Sequence, residues 1–197
     1  MARKTAEPKF RDLMKRLGNW WHKYGDVRYC MHCHQALPKS ENAPDFFTSV
    51  IGAWVEVKNN DKSGRWAWTE IYKDGARANQ RNMLLDNAGW LFIELGTGKA
   101  PNGRGAFLIP FIEWCTRVEP ILLERDQKSI RLETIYNQDG TERNNMIGAD
   151  NLLEEWRLNW VTNVGWEIPP DHVWFEVLQT QLEAKLEDIK TWRQTRP

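Results

Sequence analysis

Two acidic residues and a lysine lie close together in the first third of the chain, at a spacing that suits hydrolysis of a phosphodiester. Asp45 directly follows Pro44, and Glu56 and Lys58 come soon after, separated by Val57. Carboxylates bind Mg²⁺, which needs few protein ligands because it keeps several waters. Such a metal can activate an attacking water, and a nearby lysine can offset charge in the transition state. The backbone carbonyl of Val57 offers the metal one further oxygen.

These side chains come together if the segment folds as a β-hairpin. The sequence predicts strands at 46–50 and 53–58, joined by a two-residue turn. Glu56 and Lys58 then share one strand face, because side chains two residues apart lie on the same side. Asp45 is expected opposite or diagonal to them, at the ~5 Å that separates facing Cβ atoms.

The elements around this hairpin predict a mixed α/β fold. Apolar residues recur at helical spacing before the hairpin, and a second helix and two strands follow it. The further predicted elements are helices at 7–22, 76–87, 151–161 and 171–192, and strands at 26–31, 90–95 and 106–110. We expect an α/β core at 1–118, with a central mixed sheet flanked by helices. A helical C-terminal extension at 119–197 is expected to serve dimerisation or substrate positioning.

The order of these residues resembles the PD-(D/E)XK nuclease superfamily, and most of all the archaeal-type and phage Holliday-junction resolvases. The matching motifs are Pro44-Asp45 and Glu56-Val57-Lys58, and the likeness covers roughly residues 7–112. The resemblance implies a restriction-endonuclease-like core, with Mg²⁺ or Mn²⁺ bound by Asp45, Glu56 and the Val57 carbonyl. It also implies that Gln80, in the following helix, and Glu7, in the first helix, belong to the active site.

The same resemblance implies a DNA endonuclease that cuts branched DNA during recombination or repair. A four-way junction needs two symmetric cuts, so a homodimer is the expected working unit. The apolar face of the last predicted helix is a candidate dimer surface, made of Phe175, Leu178, Leu182, Ile189 and Trp192. Two alternatives stay open. One is another restriction-like, repair or exonuclease activity of the same superfamily, and the other is a non-catalytic, zinc-stabilised DNA-binding module.

The distribution of charge predicts which part of the chain meets DNA. Residues 1–118 hold 18 Lys and Arg against 12 Asp and Glu, whereas 119–197 hold 9 against 15. The basic first part therefore suits a polyanion. Candidate DNA contacts follow the active-site strand or lie in a glycine-rich connection, where basic side chains suit contact with the DNA backbone and tryptophan rings suit stacking on bases. For at least one of the tryptophans, packing beneath the sheet is the alternative. The candidates are Arg65, Trp66, Trp68, Arg77, Lys99 and Arg104.

A cysteine pair indicates a possible structural zinc site. Cys30 and Cys33 are separated by two residues, the spacing typical of zinc ligands, and His34 is a candidate third ligand. No second cysteine pair follows, so reduced structural thiols are the alternative interpretation.

The sequence also predicts a cellular location. No apolar run approaches the ~18 residues that a membrane span needs. The first ten residues lack the apolar core of a secretory signal. A cytoplasmic location is therefore expected, in the host cell if the protein is viral, with no membrane partner.

Overall fold

The computed structural model describes residues 6–17, 21–23, 28–29, 36–37, 44–48, 53–60, 62–72 and 76–194. The strands are β1 (Trp21–Lys23), β2 (Arg28–Tyr29), β3 (Ala36–Leu37), β4 (Phe46–Thr48), β5 (Ala53–Asn59), β6 (Arg65–Trp66), β7 (Trp90–Gly96), β8 (Arg104–Pro110), β9 (Ile130–Arg131), β10 (Asn159–Val161) and β11 (Gly165–Glu167). The α-helices are α1 (Ala6–Arg16), α2 (Ala76–Asp86), α3 (Phe111–Glu113), α4 (Glu119–Glu124), α5 (Ala149–Leu152) and α6 (Val173–Gln194). A π-helical turn (Trp114–Val118) joins α3 to α4, and 3-10 turns lie at Trp68–Tyr72, Arg143–Asn145 and Glu154–Trp156.

Five strands form a central sheet in the order β1-β4-β5-β7-β8. β5 and β7 run parallel, and the other neighbours in this sheet are antiparallel. β7 and β8 are buried along almost their whole length, because both faces of the sheet are covered. The expected mixed α/β architecture, with a mixed central sheet flanked by helices, is confirmed.

The sheet separates two apolar cores, because side chains alternate along β7. Leu91 and Ile93 face the first core, together with Leu84 of α2. Trp90 and Phe92 face the second core, which is covered by α1. Residues beyond position 118 contribute to both cores, among them Leu122, Ile130, Leu153 and Trp156 in the first and Leu158, Trp166, Ile168 and Trp174 in the second.

Most predicted elements near the hairpin are confirmed. β4 pairs antiparallel with β5, and α2, β7 and β8 lie within two residues of their predicted bounds. The predicted first helix is too long, because α1 ends at Arg16 and residues 21–23 form strand β1. β3 lies outside the strands and helices that the sequence predicts.

The predicted helix at 151–161 is wrong. In its place α5 and a 3-10 turn are followed by the β10–β11 hairpin, in which Trp160 pairs with Trp166. The two indole rings meet edge to face with their centroids 5.0 Å apart, a contact that stabilises an antiparallel pair. The turn has Asn163 and Gly165 at positive φ, which a helix does not allow. The C-terminal part of the chain is therefore not purely helical.

Helix α6 begins in the core and continues beyond it. Trp174 is buried against Trp90, with ring centroids 4.8 Å apart. Further along the helix Leu182 and Leu186 are 46% and 57% exposed. Ile189 and Trp192, predicted members of the same apolar face, have side chains outside the described residues. No helix in the described part of the chain combines the length and hydropathy needed to cross a membrane.

Candidate active site

The β4–β5 pair places Asp45 opposite Glu56. Phe46 faces Val55 in this pair, so the next position along each strand brings the two acidic residues together. The backbone N–H of Asp45 donates a hydrogen bond to Glu56 Oε2 over 3.1 Å. The backbone N–H of Val57 donates in turn to Asp45 Oδ2 over 3.0 Å. The predicted juxtaposition of the two carboxylates is confirmed, and backbone groups fix it.

The Glu56 carboxylate is almost completely buried, with 2% of the residue exposed. Lys58, on the same strand face, forms an ion pair with Glu56 Oε1. Burial raises the pKa of Glu56, and the negative charge of Asp45 raises it as well, whereas Lys58 lowers it; together these effects place the pKa at about 7. A second cation beside this carboxylate would favour its ionised form, as a bound divalent metal does.

Gln80 reaches the same carboxylate from helix α2. Its side-chain amide donates a hydrogen bond to Glu56 Oε2, the oxygen that also accepts the Asp45 N–H. The residue is 8% exposed, and Leu84, one turn later on the same helix face, lies in the first core. Packing of α2 on the sheet therefore holds the amide against the strand that carries Glu56.

A cavity of about 200 Å³ opens beside these residues. Its lining includes four carboxylate residues, Glu7, Asp45, Glu56 and Glu70, and one amine, that of Lys58. The other described residues that line it are Ala6, Val57 and Asn59. The excess of negative charge in so small a space suits a bound cation.

Glu7 enters the cavity from the first turn of α1. It lies three residues before Phe10, which is buried against the sheet, so both side chains are on the same face of the helix. Glu7 is itself only 9% exposed. The structure therefore brings all five residues predicted for the catalytic set, Glu7, Asp45, Glu56, Lys58 and Gln80, to one place.

Glu70 is a member of the cavity that sequence reasoning missed. It belongs to the 3-10 turn at Trp68–Tyr72, which packs beside α2. No motif or strand periodicity marks the residue, because its approach to the site depends on how the chain returns after β6. An acidic residue shortly after the active-site strand is the only sequence signal that could have indicated it.

The donors around the cavity fit a hard divalent cation. Carboxylate and backbone carbonyl oxygens are the ligands that Mg²⁺ and Mn²⁺ prefer. Among the described residues, no group of three or more His, Cys, Asp or Glu side chains lies close enough together to hold a metal ion by itself. Mg²⁺ needs only one or two carboxylates, because it keeps several waters.

Two of the predicted DNA contacts are core residues. Trp66 and Trp68 are 2% and 3% exposed, and both rings pack on Trp114. The indole N–H of Trp68 donates a hydrogen bond to the buried Gln127 carbonyl over 2.6 Å. The expectation that these rings stack on bases is therefore corrected, because neither presents a face to a ligand.

The basic residues predicted to contact DNA differ in their surroundings. Arg104 is turned inward, where it donates to Gly98 O and forms an ion pair with the fully buried Glu94. Lys99 is exposed at the tip of the β7–β8 connection, and Arg65 is half-buried. The side chain of Arg77 lies outside the described residues.

The proposed zinc ligands Cys30, Cys33 and His34 also lie outside the described residues. Cys115, a free thiol, is half-buried and packs against the first core. Its Sγ atom lies 4.0 Å from a guanidinium nitrogen of Arg81.

Comparisons of the chain with protein-family models, with curated proteins and with solved structures find no match.

Proposed function

We propose that this protein is a metal-dependent nuclease that hydrolyses phosphodiester bonds in DNA, with the cavity beside Glu56 as its active site. The observation that carries the proposal is the pairing of Asp45 and Glu56 across two strands, with Lys58 on the same face. Two carboxylates and an amine around one cavity are the groups that metal-assisted phosphodiester hydrolysis needs. Glu7 and Glu70 supply further negative charge to the same cavity.

Asp45, Glu56 and the carbonyl oxygen of Val57 would hold the metal, either Mg²⁺ or Mn²⁺. When bound, the ion supplies Lewis-acid polarisation of the phosphoryl oxygen and lowers the pKa of a bound water. The Asp45 carboxylate is held for this role by the Val57 N–H. Glu56 is held by Gln80 and by the Asp45 N–H, so the two ligands stay in fixed relation.

Lys58 is the residue suited to act on the reacting phosphate. Its side chain is 19% exposed, so the ammonium lies at the boundary between the buried Glu56 carboxylate and the cavity. From there it can stabilise negative charge on the transition-state oxygens or orient the attacking water. Gln80 acts through Glu56 and is a positioning residue, because its amide contacts the carboxylate.

Branched DNA is the substrate that the sequence resemblance favours, and a homodimer in the cytoplasm is the form of the protein proposed with it. A junction with two-fold symmetry is cut twice, which two active sites in one dimer can do. The exposed Leu182 and Leu186, one turn apart on α6, offer an apolar contact between two copies. The alternative with the same catalytic chemistry is a general repair or restriction-like nuclease, which would use the same active site but would not prefer junctions.

Cleavage assays with defined DNA substrates test the proposal. Wild-type protein is incubated with a four-way junction and with a linear duplex of equal length, in Mg²⁺ and in EDTA. We expect Mg²⁺-dependent cuts at paired positions in the junction and slower cutting of the duplex. Equal rates on both substrates would remove the junction preference, and no metal-dependent cleavage of any DNA would overturn the proposed function.

A further inference from the structure

A second cavity, outside the candidate active site, is lined by three arginines. It has a volume of about 290 Å³, and Arg65, Arg131 and Arg143 line it. The other described residues that line it are Ile135, Asn144 and Met146, so none of the described lining residues is acidic. We refer to it as the arginine cavity. Guanidinium groups around an opening without a carboxylate are arranged as in sites that bind oxyanions.

Two of these arginines are held opposite each other. Arg65 and Arg131 form a directly facing pair in the antiparallel β6–β9 ribbon. The Cβ atoms of such a pair lie ~5 Å apart, and like charges in this position destabilise a sheet. Both residues are half-buried. An anion bound between them would be within reach of both guanidinium groups.

Two of the three arginines have no carboxylate partner among the described residues. Neither Arg131 nor Arg143 forms an ion pair within the described ranges. Glu142, next to Arg143, is instead paired with Arg125. Glu133 lines the neighbouring cavity but forms no ion pair with Arg131.

The segment that carries Arg143 is held by hydrogen bonds to its backbone. The Arg143 N–H donates to Ile135 O over 2.6 Å, and Asn144 and Asn145 continue the turn at positive φ. Gln127, which is 3% exposed, bonds to both the N–H and the carbonyl of Ile147. The third arginine is therefore held near the β6–β9 pair by the fold of 127–148.

The arginine cavity lies towards the same edge of the sheet as the candidate active site. β5 and β7 are parallel, so their C-terminal ends share one edge. Lys58 is near that end of β5. Gly96 ends β7 and lines a neighbouring cavity of about 170 Å³, to which Arg131 also contributes. One extended polyanion could therefore reach from Lys58 to the arginines along this edge.

We propose that Arg65, Arg131 and Arg143 form a binding site for a phosphate group, and that the group belongs to the backbone of the DNA being cut. Binding of a phosphate as such follows from the arginine cavity alone. Its assignment to the DNA backbone rests on the proposed nuclease function. The site would hold a phosphate at a distance from the scissile bond and so fix the path of the strand.

The first experiment asks whether the site binds phosphate. Thermal unfolding is followed with inorganic phosphate and with sodium chloride at equal ionic strength. The proteins are the wild type, an Arg131→Gln/Arg143→Gln double variant, and Lys128→Gln as a control with one exposed charge removed. We expect the wild-type Tm to rise by about 3–6 °C with phosphate at ten times its Kd. The control should respond equally and the double variant should not respond.

Behaviour without phosphate separates binding from a structural role. Arg131→Gln alone removes the like-charge pair, so it should leave Tm in chloride unchanged or raise it. A site that merely stabilises the fold would show the opposite, a lower Tm in both salts. A lower Tm of Arg131→Gln in both salts would overturn the proposed phosphate site. Equal stabilisation of the wild type and the double variant by phosphate would overturn it as well.

The second experiment asks whether the phosphate is that of DNA. Binding of a junction is measured in EDTA over a range of salt concentrations. For each contact with a backbone phosphate that is lost, the slope of the logarithm of the DNA binding constant against the logarithm of salt concentration should become less steep by about 0.9. We expect at least this change, with weaker binding, in the double variant and none in Lys128→Gln. If the double variant keeps the wild-type slope although its Tm no longer responds to inorganic phosphate, the site binds a phosphorylated small molecule and the DNA role is overturned. A changed slope in a protein that cuts no DNA would uphold the site and overturn the nuclease proposal.

Discussion

The backbone N–H of Asp45 donates a hydrogen bond to the side chain of Glu56, so one acidic residue helps to hold the other. The strand that carries Glu56 also holds Asp45, because the Asp45 carboxylate accepts a hydrogen bond from the backbone N–H of Val57. Both carboxylates are thereby fixed, one directly before β4 and the other in the middle of β5. Such fixed placement, with water still able to enter the cavity, is what a catalytic metal site requires.

The raised pKa of Glu56 has a consequence for stability in metal-free protein. At a pH between 4.5, the ordinary pKa of the group, and about 7, its pKa in the folded protein, the folded state keeps a proton that the unfolded chain releases. Stability from this group is therefore present at low pH and is lost as pH rises through about 7. We expect a loss on the order of 1–3 kcal/mol between pH 5 and pH 8, measured by urea unfolding in EDTA. Glu56→Gln should lack this component, and equal pH slopes for the two proteins would contradict it.

Gln80 is expected to control the orientation of Glu56. Gln80→Ala removes the amide that contacts Glu56 Oε2, so the carboxylate loses one of its two fixed donors on that oxygen. The rate constant for cleavage should fall about 10–100-fold, as when a partner of a metal ligand is removed elsewhere, with little change in DNA affinity. Asn82→Ala, an exposed change on the same helix, is the matched control. A Gln80→Ala protein that cuts as fast as this control would exclude the positioning role.

Glu70 is expected to contribute to cation binding, because it lines the cavity with the two proposed ligands. Glu70→Gln keeps the size of the side chain and removes its charge. The Mg²⁺ concentration for half-maximal cleavage should rise by about tenfold, since less negative charge faces the ion. Glu124→Gln changes an exposed acidic residue on α4 and should leave that concentration unchanged. If the two variants respond to Mg²⁺ alike, Glu70 is only a wall of the cavity.

Trp68 is expected to matter for stability and not for DNA binding. Trp68→Phe leaves the buried Gln127 carbonyl without its donor and shortens a ring that packs on Trp114. We expect a loss of about 2–3 kcal/mol in the free energy of unfolding. DNA affinity of the folded variant, measured well below its Tm, should equal that of the wild type. A stable variant with weakened DNA binding would restore the role in stacking that the sequence suggested.

The parts of the site that were predictable from sequence are those set by local periodicity. Glu56 and Lys58 share a face because they are two residues apart in a strand, and Asp45 meets Glu56 because two strands that follow each other along the chain pair antiparallel. Glu70, Arg131 and Arg143 gave no such signal, since packing of segments distant along the chain brings them into place. Trp66 and Trp68 were misread because an aromatic residue beside an active site has the same sequence pattern whether it is buried or exposed.

The C-terminal part of the fold was harder to predict for a related reason. The stretch at 151–161 has helical spacing of its apolar residues, but the contact between Trp160 and Trp166 selects a hairpin. That contact forms only once the chain has turned at Asn163 and Gly165. Tertiary contacts thus decide between two local structures that the sequence pattern alone leaves nearly equal.

The most direct test of the nuclease proposal is cleavage by Glu56→Gln, compared with wild type and Glu124→Gln at saturating Mg²⁺. DNA affinity in EDTA and thermal unfolding are measured alongside, to show that each protein is folded and binds its substrate. We expect Glu56→Gln to bind DNA like the wild type but to cut it at least about a hundredfold more slowly. The Glu124→Gln control should cut at the wild-type rate. A folded Glu56→Gln protein that cuts DNA as fast as the wild type would contradict the assignment of this cavity as the active site.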